Sequence, residues 1–143
     1  MKTQTARNLK MLGMLLFLLG LITGFFIGAL KNPRMGLSAH LEGVMNGTFL
    51  VVAGLVWNDL RLKAGWLKTL YWTLLLGTFV NWFSTLLAAV LGTSKMTPLA
   101  GSGHEGTPFH ESLVSAGLMA TGLLMLFSLV VMVYGLRGKV ITA

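Results

Sequence analysis

The chain contains no cysteine. Disulfides, thiolate-ligated metals or haems, and a cysteine nucleophile are thereby excluded. Charge is scarce too: 10% of the 143 residues are Asp, Glu, Lys or Arg, against about 25% in a typical soluble domain. So few charges cannot cover a water-facing surface. The alternation of apolar and polar residues that marks strands is missing. So are a Gly-x-Ser-x-Gly elbow, a phosphate-binding loop and a dinucleotide fingerprint, which removes support for those hydrolase and nucleotide-binding classes.

What is present is apolar. Hydrophobic residues make up 55% of the chain and mean hydropathy is +0.77. Four apolar segments, at about 11–30, 41–57, 70–91 and 112–136, each approach the ~20 residues that cross a bilayer as a helix. Backbone groups in lipid must be satisfied internally, so helices are the natural assignment. The reading is all-α: an integral membrane four-helix bundle, one domain over 1–143. The first segment follows a basic start, as in a signal peptide, but is too long for a signal core of roughly 7–15 residues. It reads as a retained span.

The net charge is +7. The Lys and Arg residues are spread over loops and both ends rather than one face. Lipid headgroups, not nucleic acid, are the expected partners. Lys2, Arg7, Lys10, Arg61, Lys63, Lys68, Arg137 and Lys139 fall at the two ends and in the second loop, whereas Lys31, Arg34 and Lys95 fall in the first and third. That bias predicts both termini in the cytoplasm, with the chain in a bacterial inner membrane. Trp57, Trp66, Tyr71 and Trp72 flank the second loop as interfacial aromatics do.

Residues 39–47 read Ala-His-Leu-Glu-Gly-Val-Met-Asn-Gly. Polar groups in a membrane helix are costly and are functional candidates by default. Residues three, four and seven apart share a helix face, which places His40 with Gly43 and Gly47. Such a face either packs closely on another helix or seats a flat cofactor with His40 as axial ligand. Glu42 and Asn46, four apart, either satisfy each other or face a substrate pocket. In the third segment Gly77, Thr78, Ser84 and Thr85 flank Asn81, which is interhelical glue or a site residue. His104, Glu105, His110 and Glu111 could join His40 at a metal, but the two loop histidines are six apart, which is not a recognised ligand spacing. The loop at 93–111 is long enough to suggest function or disorder.

Residues 32–47, Asn-Pro-Arg-Met-Gly-Leu-Ser-Ala-His-Leu-Glu-Gly-Val-Met-Asn-Gly, followed by a span carrying Asn81, resemble the small membrane hydroxylaminobenzene mutases. These are similar in turn to styrene oxide isomerases. The resemblance implies a four-helix enzyme that assembles as a homotrimer and carries haem b between protomers. It implies His40 as the axial iron ligand, with Gly43 and Gly47 beside the ring, Asn46 positioning substrate oxygen and Asn81 assisting. The isomerases place a catalytic tyrosine one turn after the third-helix asparagine; that position is Thr85 here. Epoxide rearrangement is therefore the secondary expectation, and movement of oxygen from nitrogen to ring carbon in a small aromatic hydroxylamine the first. Glu42, with no carboxylate counterpart in those isomerases, becomes a candidate proton shuttle. A non-enzymatic haem carrier or transport subunit is the remaining alternative.

Overall fold

The computed structural model describes residues 2–137. Lys139, counted in the charge bias above, lies outside them. Four long helices, α1 (Lys2–Phe25), α2 (Pro33–Val56), α3 (Ala64–Leu91) and α5 (Pro108–Gly135), are joined by short turns and by a one-turn helix, α4 (Pro98–Gly101). Each long helix is long and apolar enough to cross a membrane. Among the described residues there is no strand.

Helices α2 and α5 start earlier than hydropathy suggests, because capping rather than apolarity sets those ends. Asn32 accepts hydrogen bonds from the backbone N–H of Arg34 and Met35, and Pro33 occupies the first helical position. Thr107 and Pro108 repeat the arrangement at α5. A side-chain acceptor followed by proline satisfies one orphan N–H and removes another. The consequence is functional: His40 lies two turns inside α2, roughly 10 Å from its start at 1.5 Å per residue, and not at its mouth. At the other end of the first connection, α1 stops at Phe25 and a 3-10 turn, Ile27–Ala29, leads to Asn32.

The long helices share one apolar cluster, to which α5 adds Val131 and Met132. They pack in chain order as an open row, α1 on α2, α2 on α3 and α3 on α5, with a light contact between α1 and α3. Two apolar clusters hold the row. One, with Leu9, Leu16, Leu50, Trp57, Leu70 and Leu74, sits towards the end that carries the second loop. The other, with Met35, Ala88, Ala89 and Val114, sits towards the first and third loops. Glu42, Asn46 and Asn81 fall between these clusters along both α2 and α3. Lys2 donates to the carbonyl of Leu60 at 2.6 Å, and Arg61 N–H donates to Gly135 O at 2.8 Å. The chain start, the second loop and the end of α5 therefore share one end of the molecule.

Candidate active site

The site is built on the two sides of α2. On the α1 side, Gly43 and Gly47 meet α1 at backbone distance. A Cβ on Gly43 would run into Gly20 Cα, and one on Gly47 would lie 2.5 Å from Phe17 N. Real Cβ atoms do not approach so closely. A Cβ on Gly20 or Gly13 would clash in return with Val44 N or Gly47 O at 2.6 and 2.7 Å. Small residues in membrane helices permit close packing of backbones, which replaces the missing hydrophobic drive between helices. The flat surface anticipated along Gly43 and Gly47 is therefore filled by α1, with Trp82 of α3 at its edge. These glycines seat a helix, and the cofactor cradle expected there is not formed within one copy of the chain.

His40 stands at the edge of the same seam, half-buried. Its Nδ1 lies 2.8 Å from the carbonyl oxygen of Gly20. A carbonyl only accepts, so Nδ1 carries the proton and donates it. In the neutral ring Nε2 is then the atom with the free lone pair. Gly24 makes room for the ring, since a Cβ there would lie 2.8 Å from Nδ1. Metal-ligating histidines commonly give their other N–H to a backbone carbonyl, which fixes tautomer and ring orientation. The donor chemistry at His40 thus fits a histidine that would bind iron through Nε2.

On the α3 side the polar residues converge. Glu42 Oε2 accepts a hydrogen bond from Asn46 Nδ2 at 3.0 Å and a second, short one from Asn81 Nδ2. Three candidates named from the sequence meet across two helices. Each amide gives one of its two N–H groups to the same carboxylate oxygen. Glu42 Oε1 and the two amide carbonyl oxygens make no hydrogen bond among the described residues. The cluster therefore presents three acceptor oxygens. Asn46 is buried, whereas Glu42 and Asn81 are partly open. His40 lies at the α1 edge of α2 and Glu42 at the α3 edge, with exposed Leu41 and Met45 on the face between them.

The remaining candidates separate from this cluster. Thr85 is buried and returns its hydroxyl to Asn81 O at 2.9 Å, as helical threonines do. Gly77 and Ser84 face α5, against Met125 and Gly117 respectively. His104 Nδ1 donates to Gly101 O, and His110 rests beside Phe109. The described residues contain no group of three His, Cys, Asp or Glu able to hold a metal ion. Glu111 is occupied elsewhere: its carboxylate accepts from the backbone N–H of Ser94, Lys95 and Gly106 at 2.9–3.2 Å.

Two supporting residues were not singled out from the sequence. Asn32 is fully buried; besides capping α2 it donates to Ala100 O and Gly101 O, fastening the third loop over the start of α2. The Asn-Pro pair is the signal that would have found it. Trp82 donates to Thr23 Oγ1 at 3.3 Å and fills the junction of α1, α2 and α3; nothing local in the sequence marks that role.

Comparison with known proteins bears on this geometry. A family model described as styrene oxide isomerase matches residues 5–137. Hydroxylaminobenzene mutase HabB of Ectopseudomonas oleovorans is 46% identical over 134 residues, covering 93% of this chain and 82% of that protein. Hydroxylaminobenzene mutase HabA of the same organism is 44% identical over 104 residues, covering 72% of this chain and 77% of that protein. No solved structure matches.

Proposed function

The chain belongs to the styrene oxide isomerase family, and from that premise we propose that it rearranges aryl hydroxylamines such as hydroxylaminobenzene into 2-aminophenols. It is an isomerase of the mutase kind, as its relatives are named. The observation that carries the substrate reading is the Glu42–Asn46–Asn81 cluster, which offers acceptor oxygens on a helix whose neighbouring face carries exposed apolar Leu41 and Met45. In the reaction the N–O bond breaks, a C–O bond forms at the ortho carbon, the ring proton leaves and the nitrogen gains one. Composition is unchanged, so no reductant is consumed.

His40 Nε2 is the atom that would hold haem b, which when bound would supply a Lewis acid. The chain's own groups do the rest. Asn46 and Asn81 hold Glu42 Oε2 in place and turn their carbonyl oxygens to the N–H and O–H of the substrate. Glu42 Oε1 takes the ring proton and returns it to nitrogen, as a positioned carboxylate does in general acid–base catalysis. Leu41 and Met45 beside the site suit a substrate that reaches it through the membrane. Three copies of the open helix row, with the basic end in the cytoplasm, complete the reading.

The test is direct. Purified protein given hydroxylaminobenzene yields 2-aminophenol without added reductant. The same preparation shows a Soret band that His40→Ala removes. A colourless wild-type protein made with ample haem overturns the cofactor assignment. Rapid aldehyde from styrene oxide with no ortho-aminophenol overturns the substrate assignment.

A further inference from the structure

A cavity lies at the end that carries the second loop, away from the Glu42 cluster. It holds about 620 Å³ and is walled by Trp57, Leu62, Leu67 and Tyr71, with Lys2 and Lys68 at its rim. That volume lies within the ~300–1,000 Å³ usual for small-ligand pockets. A smaller cavity of about 360 Å³, with Trp66 and Tyr134 in its wall, shares Leu62 with it. The walls are apolar and the rim is cationic.

The charge around it is mostly positive. Lys2 gives one of its three ammonium donors to Leu60 O; Lys68 is exposed. Arg7, Arg61 and Lys63 stand at the same end. Of the four acidic residues in the chain, Asp59 alone is placed here. Ala64 and Gly65, the first residues of α3, also line the cavity, and Lys63 before them offers no side-chain cap. Their uncapped N–H groups add partial positive charge to the rim. The proposed chemistry uses none of these residues.

We propose that this cavity is a binding site for an anionic phospholipid: Lys2 and Lys68 hold the phosphate headgroup, and an acyl chain enters the slot between Trp57, Leu62 and Leu67. The exposed aromatics give the depth, since Trp66 and Trp72 stand beside the second loop as interfacial belts do. Charge complementarity selects an anionic lipid over a zwitterionic one, and the apolar volume selects a lipid over a free anion.

The test is a titration of the full-length detergent-purified protein, read by native mass spectrometry, with phosphatidylglycerol, phosphatidylcholine and inorganic phosphate in separate arms. One phosphatidylglycerol per chain is retained about tenfold more tightly than phosphatidylcholine, and phosphate does not displace it. Each lysine near an anionic surface contributes enough that removing two costs roughly thirtyfold in affinity. Lys2→Gln with Lys68→Gln therefore loses the preference, the Arg pair at the same positions keeps it, and Lys95→Gln at the far end leaves it unchanged. Leu67→Trp fills the cavity and abolishes retention with both lysines intact. Equal retention of the two lipids, or wild-type retention in the Gln pair, overturns the proposal. Displacement by millimolar phosphate overturns it in favour of a free-anion site. Should the Gln pair fail to fold, the Arg pair and Leu67→Trp decide.

Discussion

The two sides of α2 solve different problems with different chemistry. Towards α1 the contact is backbone on backbone: Gly43 and Gly47 against Gly20 and Phe17, with no room for a side chain. Towards α3 the contact is side chain on side chain, and it is polar: Glu42 gathers Asn46 and Asn81. The first seam tolerates no added atom. The second depends on which atoms carry lone pairs. One helix thus carries scaffold and chemistry on separate faces, with His40 at the scaffold's edge. Proximity in sequence is therefore a poor guide to shared role, since Glu42 and Gly43 are neighbours in the chain.

Substitutions on the two faces separate the seams. Gly43→Leu has the largest expected effect. A clash with backbone cannot be relieved by rotamer change, and overpacking of even ordinary cores costs about 1–3 kcal/mol. Folded protein should all but disappear, measured as the loss of the monodisperse peak on size exclusion; a wild-type yield would break the comparison. Glu42→Gln should leave that peak intact while turnover of hydroxylaminobenzene falls by roughly 10²–10⁴-fold, the range for a lost general acid or base. A fall below tenfold would reduce Glu42 to glue. Asn32→Ala sits on neither seam. It should lower stability by about 1–2 kcal/mol, as a lost cap does, with kcat preserved, read by thermal melting beside a turnover assay. Thr85→Val should do least: its hydroxyl serves Asn81 O, which already accepts within the helix, so stability changes by less than ~1 kcal/mol and turnover stays near wild type. A large loss of turnover would return the role of the isomerase tyrosine to Thr85.

Much of this was legible in the sequence, for reasons that differ by residue. Four spans follow from composition, because lipid demands apolar helices. The meeting of Glu42 and Asn46 follows from helical spacing. That Asn81 joins them was indicated by cost alone: a mid-span amide needs a partner, and α3 is the next helix in the row. What spacing could not decide was the occupant of the Gly43 and Gly47 face, since a flat ring and a close helix make the same demand for missing side chains. The glycines of α1, Gly13 and Gly20, answer it only once the two helices are in register. The starts of α2 and α5 were misplaced because hydropathy ignores caps. Glu111 looked like a ligand because its three backbone donors, Ser94, Lys95 and Gly106, come from a loop whose path no local pattern gives.

The double role of Asn32 has a consequence for biogenesis. Its oxygen caps α2 as soon as Arg34 and Met35 are in place, but its amide donors serve Ala100 and Gly101, some seventy residues later in synthesis. During insertion, the α1–α2 hairpin can zip through its glycines before α3 has left the ribosome, because chains are made from the N-terminus and early units fold first. Its outer end stays unsealed until the third loop arrives. Asn32 thus reports arrival of the third loop. A ribosome stalled after α3 would leave a packed hairpin with an unlatched rim, a form that a membrane quality-control protease could recognise.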